Sequence, residues 1–280
     1  MNILKNIVSI FVTCGLTLMV MACNELDGDN ADFNFEDKVA KEDPARLPNS
    51  IRLATYNTHR CAGTGTTVAT YDQTAKVISL LDADVVALQE LDKNTSLNPT
   101  DQLQELANRT GLIPFFCKTV NSGSGEYGIG ILSKTTPKIT ANKELPGVEK
   151  RQFLLAEFEN YIFIATHFCH LNDVNRQLSF KIITEYILAN YADYSKPIYL
   201  AGDLNTTSLP ANALESWEVI SSSANTFPGK SIRIDYILVY KGNSPKYERL
   251  RTLVPTYEGI DLQRVSDHLP ILVDLKKETL

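Results

Sequence analysis

The chain has 280 residues, of which 44% are hydrophobic and 21% are charged, so it has enough apolar material for a sizeable buried core. This composition excludes a collagen, a coiled coil and a low-complexity chain. The formal net charge of -6 is unevenly distributed, because residues 23–48 have a net charge of -5 and residues 49–280 only -2. A body so close to neutral lacks the basic surface of proteins that grip long nucleic acids through phosphate charge, which disfavours a DNA-processing role.

The first 22 residues are typical of an export signal. Lys5 supplies a basic start, and an uncharged apolar stretch follows from Ile7 to Ala22. This stretch is short for a helix that spans a bilayer. Ala22 directly precedes Cys23, which resembles the lipobox of bacterial lipoproteins, although Met21 is not the small residue usual at its position. We therefore predict that residues 1–22 are removed and that Cys23 is lipidated; the alternative is an ordinary signal peptide.

Residues 23–48 are predicted to form a lipid-anchored acidic tether. They contain eight acidic and three basic residues and few aliphatic ones, too little apolar surface to offset the entropy of ordering. The predicted location is the bacterial envelope, on the periplasmic or the outer side. Of the five cysteines, Cys61, Cys117 and Cys169 remain for the body, and an odd number permits at most one disulfide.

Residues 49–280 are predicted to form one α/β domain. No segment repeats at a fixed period, which disfavours solenoids and propellers. Helical spacing of apolar residues occurs at Tyr71–Leu81, Asp101–Arg109 and Val174–Tyr191. Runs typical of strands occur at Ile51–Tyr56, Asp84–Leu88, Ile113–Thr119, Gly128–Ser133, Phe153–Phe158, Tyr161–Thr166, Ile198–Ala201, Ile232–Val239 and Leu269–Leu275. Many strands with three intervening helices predict sheets that are partly antiparallel.

Six polar clusters lie at or beside the ends of these strands, where a rigid scaffold presents side chains. All four histidines of the chain fall in or next to them. The clusters are Tyr56-Asn57-Thr58-His59, Gln89-Glu90, Thr166-His167-Phe168, Gly202-Asp203-Leu204-Asn205, Ile234-Asp235-Tyr236-Ile237 and Ser266-Asp267-His268-Leu269-Pro270.

Each cluster also has a purely structural explanation when it is taken alone. Glu90 is compatible with a helix cap, and Asn57 and the Gly202–Asn205 segment with turns. His59 and His170 fit hydrogen-bonded surface positions better than metal ligands. The joint pattern is far less ambiguous than its parts.

Together and in this order, the six clusters resemble the endonuclease/exonuclease/phosphatase superfamily of metal-dependent phosphohydrolases. The resemblance extends from Ile51 to Leu275, nearly the whole body. It implies an α/β fold that is a four-layer α/β/β/α sandwich, with two packed mixed β-sheets flanked by helices and one active site at the strand ends.

The resemblance also implies a metal site and a catalytic set. Glu90 is then the principal ligand of Mg²⁺ or Mn²⁺, with help from Asn57 and Asp267. Asp203 orients or deprotonates the attacking water, and Asn205 positions that water and a phosphate oxygen. His268, kept protonated by Asp235, and His167 donate hydrogen bonds to the phosphoryl group.

The implied reaction is metal-assisted, in-line attack of water on a phosphodiester or phosphomonoester. The expected substrate is a small molecule, a lipid head group or a nucleic acid, with His59, Arg176 and Tyr127 as further candidate substrate contacts. His59 and His167 stand where abasic-site endonucleases usually carry Asp and Tyr, which disfavours DNA repair. The rival hypotheses are an extracellular nuclease, a non-catalytic surface binding protein on the same fold, and a structural lipoprotein. No protein partner is predicted.

Overall fold

The computed structural model describes residues 42–277, and two six-stranded mixed sheets pack face to face in it. The predicted signal peptide, the lipidated Cys23 and most of the predicted tether lie outside the described residues. The first sheet contains, in spatial order, β11 (Arg249–Leu253), β12 (Ile271–Lys276), β1 (Ser50–Asn57), β2 (Val85–Lys93), β4 (Gly125–Ser133) and β3 (Ile113–Ser122). The second contains β5 (Ile139–Leu145), β6 (Arg151–Glu157), β7 (Ile162–His167), β8 (Ile198–Asp203), β10 (Asp235–Tyr240) and β9 (Trp217–Val219).

One parallel strand pair lies in the middle of each sheet, and the other pairs are antiparallel. β1 runs parallel to β2, with Asn57 opposite Gln89. β7 runs parallel to β8, with His167 opposite Asp203. Because parallel strands end at the same edge of a sheet, each pair brings two polar clusters of the sequence together.

In the described part of the chain, four α-helices cover the outer faces of the sandwich. α1 (Tyr71–Leu81) and α2 (Gln102–Thr110) pack against the first sheet, and α3 (Asp173–Asn190) and α4 (Ala211–Ser216) against the second. The predicted four-layer α/β/β/α architecture is confirmed. Within residues 42–277, no helix is both long enough and apolar enough to cross a membrane.

The central core lies between the two sheets and is made of aliphatic and aromatic side chains. Leu53 and Ile131 of the first sheet and Phe163 and Ile237 of the second are fully buried members of it. Their burial stabilises the face-to-face packing, at about 1.5–3 kcal/mol for each large apolar side chain. Cys61, Cys117 and Cys169 are all buried and free.

The predicted strands and helices are all present, but three strands and one α-helix of the described residues were missed. These are β5, α4, β9 and β11. Most side chains of β5 are exposed, and β11 has the sequence Arg-Leu-Arg-Thr-Leu, so neither shows the alternation of a half-buried strand. α4 and β9 have only six and three residues, too short for a periodic pattern.

Residues 44–46, which fall within the predicted tether, contact the domain. The carbonyl oxygens of Pro44 and Ala45 accept hydrogen bonds from the buried Arg52 guanidinium, at 2.9 and 3.2 Å. Arg46 forms an ion pair with Asp84. A buried guanidinium needs these acceptors, so residues 44–46 belong structurally to the domain.

Candidate active site

The side chain of Asn57, at the end of β1, lies at the centre of the converging clusters. Its Nδ2 atom donates hydrogen bonds to Glu90 Oε1 at 3.0 Å and to Asp203 Oδ2 at 3.1 Å. The same nitrogen lies 3.5 Å from Nε2 of His268. The structure thus brings together residues that are up to 211 positions apart in the sequence.

The amide oxygen of Asn57 faces away from these carboxylates. It accepts a hydrogen bond from the backbone N–H of His59 at 3.0 Å. The nitrogen side of the amide therefore faces Glu90 and holds its carboxylate in place. Asn57 is also completely buried.

Glu90 lies at a β-bulge within β2. The pairing of β2 with β4 shifts register between Leu88 and Leu91, and Glu90 has a φ of 60°. A bulge re-aims a side chain relative to the strand, and bulges are frequent beside active sites. The sequence places Glu90 after a strand, whereas the structure shows that the strand continues through it to Lys93.

Asp203, at the end of β8, is buried between two histidines. Its Oδ2 atom lies 3.5 Å from Nε2 of His167 and 3.7 Å from Nε2 of His268. Its Oδ1 atom accepts a hydrogen bond from the backbone N–H of Asn205 at 2.8 Å. Burial and the neighbouring Asp235 carboxylate raise the pKa of Asp203 to about 7, against the lowering effect of His268.

His268 is held by the first residue of β10. Its Nδ1 atom lies 2.9 Å from Oδ2 of Asp235. The ring of Phe227, which the sequence analysis did not single out, packs against the imidazole with 4.8 Å between the ring centroids. Nothing in the sequence around Phe227 distinguished it from an ordinary loop aromatic.

His167 is buried against Arg151, a second residue that the sequence analysis missed. Nη1 of Arg151 lies 3.5 Å from Nδ1 of His167, and Nε2 of the same ring lies 3.5 Å from Oδ2 of Asp203. Burial, followed by the charge of Arg151, holds the pKa of His167 well below its usual range. Arg151 follows Glu149 and Lys150 in a charged segment, a pattern that by itself indicates only a solvated loop.

Asp267 and His59 form the opposite side of the centre. Nε2 of His59 lies 4.0 Å from Oδ2 of Asp267, and Nδ1 of His59 contacts the carbonyl oxygen of Ala62 at 2.9 Å. Oδ1 of Asp267 is buried and has no hydrogen-bond partner among the described residues. A buried carboxylate oxygen without a donor is costly, which suits a cation ligand.

A cavity of about 620 Å³ opens above these groups. Tyr127 and Arg176, predicted as substrate contacts, line it together with His170. The predicted site residues that also line it are Glu90, His167, Asp203, Asn205, Asp267 and His268. Among the predicted catalytic residues, Asp235 lies behind His268 and reaches the cavity only through it.

Asp203, Asp235 and His268 also lie close enough together to hold a metal ion, with potential ligand atoms within 4.8 Å of one another. Two observations favour a hydrogen-bonded triad here. Asp235 and His268 are already joined at 2.9 Å. Burial lowers the pKa of His268, but Asp235, Asp203 and Asp267 outweigh it and raise that pKa to about 10. An imidazolium has no free lone pair for a metal.

The sequence matches the model of the Endonuclease/Exonuclease/phosphatase family over residues 54–268. A search of the curated proteins gives no significant match. Among solved structures, an endonuclease/exonuclease/phosphatase from Beutenbergia cavernae DSM 12333 is similar with a TM-score of 0.66 at 19% identity, covering 81% of this chain and 72% of that one. A mannosyl-6-phosphatase from Bacteroides thetaiotaomicron VPI-5482 has a TM-score of 0.64 at 18% identity, covering 81% and 99%. A D. rerio TDP2 complexed with single-strand DNA product has a TM-score of 0.60 at 18% identity, covering 81% and 98%.

Proposed function

Because the chain belongs to the endonuclease/exonuclease/phosphatase family, whose members are hydrolases acting on phosphoesters, we propose that it is a phosphohydrolase dependent on Mg²⁺ or Mn²⁺. The substrate is a phosphodiester or a phosphomonoester, cleaved by in-line attack of water. The observation that carries this proposal is the hydrogen-bonded contact of Asn57 with both Glu90 and Asp203, next to His268.

The donor set of the cavity fits a hard divalent cation. Glu90 and Asp267 line the cavity, and Asp267 has a buried oxygen without a partner. Mg²⁺ and Mn²⁺ prefer such carboxylate ligands. Glu90 and Asp267 would hold the ion, with Asn57 keeping the Glu90 carboxylate in position. When bound, the ion neutralises phosphoryl charge and stabilises the leaving oxygen.

The remaining residues prepare the water and the phosphoryl group. Asp203 accepts a hydrogen bond from the attacking water and orients it, helped by the backbone N–H of Asn205 that fixes the carboxylate. His268, oriented by Asp235, and His167, oriented by Arg151, present their Nε2 atoms on the Asp203 side and donate to phosphoryl oxygens. Such preorganised donors stabilise charge that develops in the transition state.

A metal-supplemented substrate screen tests this function. Purified protein is assayed with phosphomonoesters, nucleic acids, phospholipids and inositol phosphates in Mg²⁺, Mn²⁺ or a chelator. An Asp203→Asn protein is the matched control, because the substitution keeps the shape of the side chain. Metal-dependent phosphate or product release that is reduced about 10²-fold or more in the control supports the proposal. Equal release by both proteins contradicts it.

The same screen separates the two alternatives. Cleavage of nucleic acid in preference to small phosphoesters would favour an extracellular nuclease, which the near-neutral net charge of -2 over residues 49–280 disfavours. Binding of a phosphoester without turnover would favour a non-catalytic binding protein. Against that alternative, Asp203 and Asp235 are buried carboxylates at the site, which are costly to keep without a function.

We further propose that the enzyme works outside the cytoplasm, on the periplasmic or outer side of a bacterial envelope. The support is the apolar stretch that ends at Ala22-Cys23 and the acidic segment after it. A lipid on Cys23 would hold the domain at a membrane, within reach of lipid head groups and of soluble phosphoesters.

A further inference from the structure

A buried guanidinium lines the cavity on the far side of the His167 ring from Asp203. Arg151, the first residue of β6, is only 3% exposed. Its Nη1 atom faces Nδ1 of His167 and its Nη2 atom faces Nδ1 of His170, each at 3.5 Å. These are long contacts for charged donors, which usually lie 2.7–2.9 Å from a strong acceptor.

The charge of Arg151 is poorly compensated by the protein itself. Among residues 42–277 its carboxylate partner is Glu149, at 3.1 Å, whose side chain is 41% exposed. The Nε atom of Arg151 is buried and has no hydrogen-bond partner among residues 42–277. A guanidinium has five N–H donors, and a buried donor without an acceptor costs about 1–3 kcal/mol. The incomplete charge compensation fits an anionic ligand.

A second guanidinium also lines the cavity. Arg176, in the first turn of α3, lines the cavity with a side chain that is 12% exposed. Its Nη1 atom donates to the carbonyl oxygen of Cys169 at 2.7 Å, and its partner Asp173 is 78% exposed. Together with His170, Arg151 and Arg176 form what we call the basic wall of the cavity.

The basic wall contrasts with the side of the cavity next to His268. There Phe227, Ile232 and Ile234 supply apolar surface, with Lys230 as the cation beside Phe227. The cavity of about 620 Å³ is much larger than one phosphoryl group needs. The His167 ring also separates Arg151 from Asp203, because its Nδ1 faces the guanidinium and its Nε2 faces the carboxylate. The phosphoryl group under attack therefore leaves the basic wall free.

We propose that the basic wall is a subsite for a second anionic group of the substrate, a phosphate or a carboxylate. The substrate is then a phosphoester that carries another negative charge about one imidazole ring away from the phosphoryl group that is cleaved. This proposal rests on the proposed function, because it takes the groups around Asp203 as the place of cleavage. Arginine forks bind both phosphate and carboxylate through paired hydrogen bonds.

Equilibrium binding of three matched compounds tests the subsite without turnover. Full-length Asp203→Asn protein with Mg²⁺ is titrated calorimetrically with glycerol 3-phosphate, 3-phosphoglycerate and glycerol 1,3-bisphosphate. The second group is a hydroxyl, a carboxylate and a phosphate, respectively. We expect at least one of the two doubly anionic compounds to bind roughly tenfold or more tightly than glycerol 3-phosphate. The compound with the larger ratio identifies the anion. Equal binding of all three overturns the proposal.

Substitutions in the same Asp203→Asn background locate the effect. Arg151→Gln and Arg176→Gln should each reduce the affinity ratio toward one, whereas Arg151→Lys should retain part of it. Arg264→Gln removes an arginine that is 84% exposed and outside the cavity lining, and it should leave the ratio unchanged. If Arg151→Gln does not fold, Arg176→Gln decides the matter. A lower affinity ratio in Arg176→Gln supports the proposal, and an unchanged affinity ratio overturns it.

The outcome is separable from that of the proposed function. If the wild-type protein hydrolyses no phosphoester but the affinity ratio depends on the two arginines, the subsite is supported and the hydrolase proposal fails. If the wild-type protein hydrolyses a phosphoester but the affinity ratio is one, the hydrolase proposal is supported and the subsite proposal fails.

Discussion

Nδ1 of His268 lies 2.9 Å from Oδ2 of Asp235, and both side chains are buried. Asp235 begins β10 and pairs with Asp203 across the sheet, so the same backbone ladder positions both carboxylates that face this imidazole. The hydrogen bond at Nδ1 directs Nε2 toward Asp203 and the cavity. The orientation of His268 is therefore set by the sheet, although His268 itself lies in a loop.

Asp235→Asn should lower kcat about 10²-fold or more on a responsive phosphoester, since the amide neither compensates an imidazolium nor fixes the tautomer. Steady-state kinetics with saturating Mg²⁺ measures this. Asp72→Asn, at a carboxylate that is 92% exposed on α1, is the matched control and should leave kcat unchanged. A kcat for Asp235→Asn within threefold of the wild type would remove Asp235 from the mechanism.

Mg²⁺ should raise the melting temperature of the wild-type protein, and Glu90→Gln or Asp267→Asn should abolish that rise. Binding to the folded state adds RT ln(1 + [L]/Kd), about 2.7 kcal/mol at a hundredfold excess over Kd. In a domain of this size this corresponds to a shift of roughly 5–10 °C. Thermal unfolding with and without Mg²⁺ reports the shift without any need for substrate. An unchanged shift in both variants would show that neither carboxylate holds the ion.

Gly202→Ala should damage both folding and catalysis. A Cβ at this position would lie 2.0 Å from the carbonyl oxygen of Thr166, so β7 and β8 would have to separate and move His167 relative to Asp203. We expect a loss of about 1–3 kcal/mol in unfolding free energy, measured in urea, together with a lower kcat. Gly229→Ala, where a Cβ meets nothing within 4 Å, is the stability control and should change it by less than about 0.5 kcal/mol.

The buried ion pair between Arg52 and Asp274 should make the domain sensitive to acid. Burial alone would raise the pKa of Asp274, but hydrogen bonds from Arg52 and Arg251 outweigh it and lower that pKa below its usual value. Because the pKa of Asp274 is lower in the folded state, its ion pair stabilises the domain fully above the pKa of an unfolded-state Asp, about 3.9. This stabilisation is lost as the pH falls through the pKa that Asp274 has in the folded state.

Asp274→Asn should therefore be about 3–5 kcal/mol less stable at pH 7, because it leaves Arg52 buried without its carboxylate. Its unfolding free energy should also fall less steeply than that of the wild type between about pH 5 and pH 2. Urea unfolding at several pH values compares the two slopes. Parallel curves would contradict this role for Asp274.

The mature protein in a bacterial membrane fraction should carry a lipid on Cys23. Intact-mass measurement is expected to show loss of residues 1–22 and a diacylglycerol adduct on the new first residue. Cys23→Ser should abolish the adduct and release the protein from the membrane fraction. A wild-type mass without the adduct would favour an ordinary signal peptide instead.

Local sequence patterns predicted most of the fold, because burial of one face makes apolar residues recur at a regular spacing along a helix or strand. The helix at Tyr71–Leu81 coincides with its prediction, since apolar side chains at helical spacing face one sheet. β5 escaped prediction because an edge strand with mostly exposed side chains has no buried face to leave a pattern. The predicted site residues Asn57, Glu90, Asp203 and His268 were found as polar interruptions at strand ends, and the fold brings them into contact.

Arg151 and Phe227 were beyond the reach of sequence patterns, because their places at the site come from long-range contacts. Arg151 lies in a charged segment whose composition indicates a solvated loop, yet the pairing of β6 with β7 brings it next to His167. The orientation of the Asn57 amide likewise depends on the backbone N–H of His59, in a turn with positive φ angles.

The sequence alone determined which residue types gather at strand ends, since burial and strand length are local properties. Only the tertiary structure decided which atoms of these residues face one another, because hydrogen-bond direction depends on strand register, bulges and turns that bring distant segments together.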